Sequence, residues 1–464
     1  MRLAVAASLL LHIAIIVLPT TVPVHTKALD TVGDAREYDV LARSLLLRRT
    51  FTRDGVPPYR PELFRTPLYP LLLAPGAALP VGTVAWGLVV QSVLSLMLVL
   101  LTYRLALTLG LSPSRSALAA LLAALSVNLA FLSTKLVSET LFATLLAAVV
   151  LLYARYITGR RWLDLVGSGV GLGLLALTRP IALYLPVLMA GHLLWRVLRR
   201  REALAAPFLL IAASSLAILP WAARNYRSAG FAGLSTAAQH NLFLYNAATV
   251  LAAEKGITLA QARDTMQVEA YSRFGALDTT DEAGYWNRLA SVAGRVYRQR
   301  PLRAAAVQAS GFAMTVLTPL SLQPLLSHCG APGLDAAPPH VMQNALRLLV
   351  SGRFGAAATL AWRGRIALLP PFALVLLALA GLHLLALLLG VLVALVRRQV
   401  GTTAWLFLPI LYFTLLPGPV GEARFRAPIE PLLCVLAAAG LGALLDRVHN
   451  GNARRPQGRR APVA

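Results

Sequence analysis

The stretch "VAWGLVVQSVLSLMLVLLTY", residues 84–103, indicates the class of the protein. Its twenty residues include no charged side chain. A helix of about 20 apolar residues is long enough to cross the hydrocarbon core of a bilayer, which is roughly 30 Å thick. A helix at the surface of a soluble domain would instead carry polar residues along one face. We therefore predict that this stretch spans a membrane.

Similar stretches recur along the chain, which has 464 residues, 57% of them hydrophobic and only 13% charged. The apolar runs are continuous, whereas the strands of a transmembrane β-barrel alternate in hydropathy. We predict an all-α polytopic membrane protein with about ten spans. The first run has no convincing signal-peptidase site and is taken as a retained span. The predicted spans are residues 3–23, 84–103, 117–131, 137–153, 162–178, 181–198, 204–222, 372–396, 403–416 and 429–445.

Basic residues cluster at alternate span ends, in the ranges 104–115, 155–161, 196–201, 397–398 and 454–460. Lys and Arg are enriched at cytoplasmic ends, so the N-terminus is predicted to be cytoplasmic. Only Asp164, Glu202 and Asp446 of the nineteen acidic residues then lie inside, which leaves sixteen outside. The net charge of +24 follows from this topology and from contacts with anionic lipids, so no nucleic-acid partner is predicted.

The predicted organisation has four parts. Residues 1–223 form an N-terminal transmembrane module with a first external loop at 24–82. Residues 224–365 form an external or interface region over the active site, with interface-type helices toward its end; within it, 304–322 is apolar enough either to span or to lie in the interface. Residues 366–447 supply the C-terminal transmembrane helices, and 448–464 a basic, disordered cytoplasmic tail.

Charged residues at the external span ends indicate a site. In "GDAREYDVLARSLL", residues 33–46, Asp34 opens a predicted helix and Tyr38 follows one turn later. Asp is a preferred N-cap residue, so capping and a chemical role are both open for Asp34. Arginines at external ends oppose the usual charge bias. They suit an anionic lipid head group because a guanidinium binds phosphate bidentately, although interfacial snorkelling is the alternative.

The order of several motifs resembles the bacterial relatives of glycosyltransferase family 39, from Asp34 to Pro431. That group includes protein O-mannosyltransferases and lipid A aminoarabinose transferases, and it has the GT-C fold. The resemblance implies a bundle of membrane helices in the plasma (inner) membrane with an external, periplasmic active site. There a sugar would pass, with inversion, from a polyprenyl-phosphate donor to a lipid, polysaccharide or protein acceptor. The motifs are "GDAREYDVLARSLL", "FRTPLYPLLLA", "SETLF", "GLGLLALTRP", "LPWAARNYRSAG" and "EARFRAPIEPLL".

The resemblance also implies roles for individual residues. Asp34 is the expected catalytic base. Many relatives carry Asp-Glu where this chain has Asp34-Ala35, so the second acid is left open between Glu37 and Glu139. No cofactor is firmly implied, but a divalent cation on Asp34 and Glu139 is an alternative to arginine. The donor-phosphate candidates are Arg65, Arg179, Arg224 and Arg424, and the other substrate-pocket candidates are Tyr38, Tyr69, Asn225, His240 and Arg426.

Two other functional classes share this topology. A transporter or flippase for a lipid-linked sugar would carry ionisable groups near mid-membrane, whereas nearly all carboxylates here are predicted at one surface. An O-antigen ligase or polymerase-like enzyme would use a pyrophosphate-linked oligosaccharide instead of a sugar phosphate. The sequence contains no His-x-x-x-His motif or Gly-rich phosphate loop, which argues against a soluble nucleotide-sugar enzyme or an ATP-driven pump.

Overall fold

The computed structural model describes residues 2–17, 33–321, 369–399 and 401–453, together with isolated positions between 325 and 366. Within these residues the chain is helical and contains no strand. The predicted all-α fold class is confirmed. Most of the predicted interface helices near the end of 224–365, and residues 454–464 of the predicted tail, lie outside the described part. The last helix itself continues to Ala453.

Six helices are long and apolar enough to cross a membrane, and a pair bent by 52°, Pro113–Ala124 with Val127–Ser133, makes a possible seventh. Three shorter apolar helices, Arg2–Ile15, Trp162–Thr178 and Thr403–Leu415, coincide with the remaining predicted spans. The multi-pass prediction is thereby confirmed by length and composition. The six are Gly82–Thr108, Glu139–Gly159, Pro180–Leu198, Ala205–Ala229, Pro371–Val396 and Ala423–Leu444.

Two glycines allow the helix α1 (Trp162–Thr178) to pack closely against a neighbouring helix. A Cβ on Gly169 would lie 2.7 Å from the Cβ of Ala213, and one on Gly173 would lie 2.6 Å from the Cβ of Ala217. Glycines four residues apart therefore let α1 lie directly against α2 (Ala205–Ala229), as small residues do at membrane helix interfaces. This packing fixes the end of α1, where the chain leaves the helix at Arg179.

The C-terminal helix α3 (Glu430–Ala453) lies in the middle of the bundle. Eighty-three per cent of the apolar window in Ala423–Leu444 is buried inside the protein. A Cβ on Gly390 would lie 2.8 Å from the Cα and Cβ of Ala437, so an Ala- and Gly-rich stripe allows close packing against Pro371–Val396. Arg424 lies on the four-residue helix Ala423–Arg426 just before α3, so this burial also fixes Arg424.

Residues beyond α2 form a second, smaller core. The segments Ala237–Asn241, Leu242–Ala247, Ala248–Lys255, Leu259–Phe274 and Glu282–Gln299 bury apolar side chains against one another, including Phe243, Met266, Leu289 and Val292. Leu242–Ala247 is a π-helical turn. The following helix Pro301–Leu317, which covers most of the ambiguous stretch 304–322, has seventeen residues and is not among the candidate spans.

The helix bundle has two chemically different ends. At one end, Arg155 pairs with Asp164, Arg160 pairs with Glu202, and Arg397 donates to the carbonyl of Ala443. These arginines belong to the basic clusters predicted to be cytoplasmic. The other end, called here the site end, holds Asp34, the start of the helix Glu139–Gly159 and the ends of α1 and α2.

Candidate active site

Asp34 lies in the first turn of the helix Gly33–Arg48, where a carboxylate is also favoured by the helix dipole. Its Oδ1 accepts a hydrogen bond from Arg65 Nη2 at 2.7 Å, and its Oδ2 lies 3.5 Å from Arg424 Nη2. A quarter of the Asp34 side chain is exposed. The carboxylate therefore sits between two guanidiniums while remaining open on one side.

Arg65 forms ion pairs with two carboxylates on this face of the helix, those of Asp34 and Glu37. Its Nε donates to Glu37 Oε2 at 2.6 Å, and Glu37 lies one turn after Asp34. Its guanidinium carbon also lies 5.1 Å from the ring centre of Tyr38 and 4.7 Å from that of Phe64. Residues three apart on a helix share a face, so the helix presents Asp34 and Glu37 together to one arginine.

Glu139 brings two further arginines to the same place. This residue begins the helix Glu139–Gly159, and its side chain is 2% exposed. Its Oε1 lies 2.6 Å from Arg179 Nη1 and 3.8 Å from Arg424 Nε. Arg424 thus stands between Glu139 and Asp34. Arg179 has an extended backbone, as expected of a residue that precedes a proline.

Glu62 organises the segment that carries Arg65. Its Oε1 accepts hydrogen bonds from the backbone amides of Phe64 and Arg65, both at 2.8 Å. Its Oε2 pairs with Arg53, which in turn donates to Glu37 Oε1 at 2.9 Å. Sequence reasoning missed this residue. The available indication was a carboxylate in "PELFRTP", three residues before Arg65 and between two prolines.

The arginines set the charge of the Asp34 carboxyl. Burial acts to raise its pKa, but the positive charges of Arg424 and Arg65 outweigh burial and hold the pKa at about 2. Burial likewise acts to lower the pKa of Arg65, whereas Tyr38, Asp34 and Glu37 raise it overall. Both partners are therefore fully charged at neutral pH. An anion that enters the site must therefore compete with the carboxylates for the hydrogen-bond donors of the guanidiniums.

A cavity of about 1610 Å³ opens on this cluster. It is larger than the roughly 300–1,000 Å³ usual for a single small ligand, so it has room for two substrates. Seven residues predicted for the site line it: Asp34, Glu37, Tyr38, Arg65, Arg179, His240 and Arg424. Glu139 does not line the cavity but contacts Arg179 and Arg424, which do.

Four other predicted residues do not line the cavity. Tyr69 is fully buried, with its ring 4.8 Å from that of Tyr38. Arg224 donates to the carbonyls of Glu62 and Phe51 and to the side chain of Asn225, which itself bonds the carbonyl of Gly233. These contacts hold loop backbone in place.

Arg426 is 2% exposed and lies away from the cavity. Its Nε donates to Glu430 Oε1 at 3.0 Å, and its Nη1 donates to the carbonyl of Thr318 at 2.7 Å. Such contacts tie Pro301–Leu317 to α3. Of the five predicted arginines, Arg65, Arg179 and Arg424 therefore line the cavity, whereas Arg224 and Arg426 make structural contacts outside it.

Comparisons with known proteins bear on the fold that carries this site. Residues 64–223 match the family model described as dolichyl-phosphate-mannose-protein mannosyltransferase. Among solved structures, one similar protein is the archaeal oligosaccharyltransferase AglB from Archaeoglobus fulgidus, in complex with an inhibitory peptide and a dolichol-phosphate. The similarity covers 100% of this chain and 52% of the AglB chain, with 15% sequence identity and a TM-score of 0.51. The chain has the GT-C fold.

The predicted resemblance is thus confirmed at the level of the GT-C superfamily. The chain spans about half the length of AglB. ArnT from Cupriavidus metallidurans, bound to undecaprenyl phosphate, is similar over 100% of this chain and 81% of its own, with 14% identity and a TM-score of 0.39. No curated protein sequence matches the chain. The family match includes Arg65, Glu139 and Arg179, whereas Asp34 and Arg424 lie outside it.

The predicted divalent-cation alternative depends on which carboxylates of the site are free to act as ligands. Among the described residues, no three His, Cys, Asp or Glu side chains are grouped closely enough to hold a metal ion. The two carboxylates considered for a cation, Asp34 and Glu139, both lie against Arg424. A cation between them would face that positive charge, so the donor set as arranged does not fit a divalent ion.

Proposed function

We propose that this protein is a membrane glycosyltransferase that moves a sugar from a polyprenyl-phosphate donor to an acceptor hydroxyl. The observation that carries the proposal is the convergence of Arg65, Arg179 and Arg424 around Asp34, at a large cavity on one end of a membrane-helix bundle. The mannosyltransferase family match and the dolichol-phosphate in the AglB structure support a lipid-phosphate donor.

The three arginines would bind the donor phosphate. Guanidiniums form bidentate, charge-assisted hydrogen bonds to phosphate, and they stabilise the charge that builds on a leaving phosphate. Their exposed fractions, 15% for Arg65, 20% for Arg179 and 18% for Arg424, leave each one reachable from the cavity. In this proposal Glu37 and Glu139 hold the arginines in place and do not act as a second acid.

Asp34 would be the base. In an inverting transfer the acceptor oxygen attacks the anomeric carbon, the bond from that carbon to the phosphate oxygen breaks with its electron pair, and the hydroxyl proton passes to a base opposite the phosphate. A carboxylate held at a pKa of about 2 is a weak base. When the donor phosphate draws Arg65 and Arg424 away, the pKa of Asp34 rises toward its ordinary value and the carboxylate becomes more basic.

The proposed location is the external face of the plasma membrane. The basis is charge, because the basic clusters gather at the end of the bundle opposite Asp34, and such clusters favour the cytoplasmic side. The first loop and the segments after α2 would then cover the cavity from outside.

A reconstituted assay tests this function. The purified protein is placed in liposomes with a polyprenyl-phosphate sugar labelled in the sugar, and both release of the label from the lipid and its movement across the bilayer are followed. We expect acceptor-dependent release of the sugar from the lipid. Movement of intact labelled lipid without cleavage would contradict the proposal and support a transporter.

A further inference from the structure

A group of four aromatic rings, called here the aromatic cluster, lines the same cavity beside the ion pairs. It consists of Phe64, His240, Tyr245 and Trp286. The ring centre of His240 lies 4.7 Å from that of Phe64, 4.5 Å from that of Trp286 and 6.2 Å from that of Tyr245. All four residues are only partly buried. The cluster therefore offers ring surface to the cavity instead of closing into a core.

Separate elements hold these rings in position. His240 comes from the short helix Ala237–Asn241, Tyr245 from the π-helical turn and Trp286 from the helix Glu282–Gln299. The backbone amide of Thr236 donates to the carbonyl of Leu63 at 3.0 Å, which ties this region to the segment of Phe64. π-helical turns are rare and occur frequently at functional sites.

Both charged and uncharged polar groups border the rings, since Arg65 lies 4.7 Å from the Phe64 ring centre and Arg263 lies 5.1 Å from that of Tyr245. Asn241 and Asn246 line the cavity beside the cluster. Burial lowers the pKa of His240, so its imidazole is neutral at physiological pH and can both donate and accept a hydrogen bond. Ring faces bordered by amides and a neutral imidazole match the two surfaces of a sugar ring, which are an apolar C–H face and a rim of hydroxyls.

The cluster is also adjacent to the reactive end of the cavity. The guanidinium of Arg65 lies 4.7 Å from the Phe64 ring centre, and the same guanidinium donates to Asp34 at 2.7 Å. One side chain thus separates the first ring of the cluster from the proposed base. A molecule stacked on the cluster can present a hydroxyl to Asp34 while the arginines hold a phosphate.

We propose that the aromatic cluster is the acceptor subsite and that the acceptor is a saccharide, stacked on Trp286 and His240. The role as acceptor rests on the proposed function, whereas the binding of saccharide does not. The sequence analysis left lipid, polysaccharide and protein open as acceptors. A saccharide subsite restricts the acceptor to a carbohydrate chain or the sugar portion of a glycolipid.

The test uses the full-length protein in lipid nanodiscs and a panel of soluble tetrasaccharides with mannose, glucose or N-acetylglucosamine units. Binding is measured by saturation-transfer difference NMR. We expect at least one tetrasaccharide to bind, and Trp286→Ala to weaken its binding about tenfold. Trp286→Tyr, which keeps an aromatic face, should stay within about threefold of wild type. The matched control is Trp162→Ala, an exposed tryptophan on α1 far from the cavity, which should change nothing.

Three other results would contradict the saccharide subsite. The proposal is wrong if no tetrasaccharide binds, if Trp286→Ala binds as well as wild type, or if a serine- and threonine-containing peptide binds in a Trp286-dependent way instead. Binding of undecaprenyl phosphate is measured on the same samples. Saccharide binding without lipid-phosphate binding would overturn the proposed donor but leave the saccharide subsite standing, and lipid-phosphate binding alone would do the reverse.

Discussion

Arginine–carboxylate pairs occur at both ends of the helix bundle, yet their surroundings differ. At the end opposite the site, Glu202 is 2% exposed, pairs with Arg160 and Arg196, and accepts a hydrogen bond from the Tyr156 hydroxyl at 2.7 Å. At the site end, Asp34 is 25% exposed and its two arginines line a cavity of about 1610 Å³. The residue types are the same, but Glu202 is buried while its partner Arg160 is 45% exposed, whereas Asp34 and its two arginines line one cavity.

This difference separates a structural ion pair from an exchangeable one. A sealed pair gains little net stability from its charges, but removing one partner is costly because the other is left buried. An open pair can exchange its carboxylate for an incoming anion, and the arginines then transfer their hydrogen bonds instead of losing them. In the proposed function the arginines at the site end exchange Asp34 for a phosphate, whereas the buried Glu202 carboxylate at the opposite end stays paired.

The largest expected effect comes from Asp34→Asn. This change keeps the shape of the side chain but removes the base, so sugar transfer should fall by about 100- to 10,000-fold. Binding of polyprenyl phosphate should be retained, because the arginines lose a competing carboxylate. Steady-state transfer and lipid-phosphate binding on the same preparation measure the two effects.

Two variants serve as controls for Asp34→Asn. Asp39→Asn neutralises a carboxylate on the same helix that pairs with Arg43, and it should leave transfer unchanged. Glu202→Gln neutralises the sealed carboxylate at the opposite end. It should lower the free energy of unfolding by about 1–3 kcal/mol while the folded protein keeps its activity. Wild-type transfer by Asp34→Asn would disprove the assignment of Asp34 as the base.

Arg65→Lys should have the next largest effect. Lysine keeps the positive charge but cannot reproduce the forked hydrogen bonds to a phosphate, so the affinity for polyprenyl phosphate should fall about tenfold. The corresponding change at the opposite end, Arg155→Lys, should leave the affinity unaltered, since Arg155 pairs with Asp164 outside the cavity. Equal effects of the two substitutions would mean that the two ends do not differ in phosphate binding.

Much of the fold was predictable because membrane helices are encoded locally. Each predicted span overlaps an apolar helix in the described residues, although 117–131 falls on two helices bent by 52°, and Asp34 lies in the first turn of a helix as expected. The order of motifs likewise singled out Asp34, Arg65, Arg179 and Arg424, which the structure places around one cavity. Each lies at a helix end or loop, where hydropathy changes abruptly.

Which arginines face the cavity was not predictable. Arg424 and Arg426 are two residues apart on one short helix, but Arg424 reaches Asp34, whereas Arg426 is directed to Glu430 and to backbone carbonyls. Nothing in "EARFRAPIEP" distinguishes them, because tertiary contacts decide the outcome. The role of Glu62 was hidden for the same reason, since it acts through hydrogen bonds to the backbone of Phe64 and Arg65.

The last prediction concerns stability and pH instead of activity or binding, and it separates the open carboxylate from an ordinary one. Asp34 has a folded-state pKa of about 2, below the 3.8 of an unperturbed Asp, so its contribution to stability is present above about pH 4 and is lost as the pH falls through 2. The shift corresponds to a contribution on the order of 2 kcal/mol. The difference in unfolding free energy between wild type and Asp34→Asn should therefore be constant from pH 8 to 5 and shrink only below about pH 4.

Glu282, at the other side of the cavity, provides the opposite case for this pH experiment. Burial raises the pKa of its carboxyl, so its ionisation costs stability as the pH rises through the ordinary carboxyl range. Glu282→Gln should thus gain stability relative to wild type with increasing pH, whereas Asp34→Asn loses it. Unfolding followed by tryptophan fluorescence between pH 3 and 8 compares the two. A stability difference for Asp34→Asn that already shrinks near pH 6 would mean that the arginines do not hold this carboxylate in its ionised form.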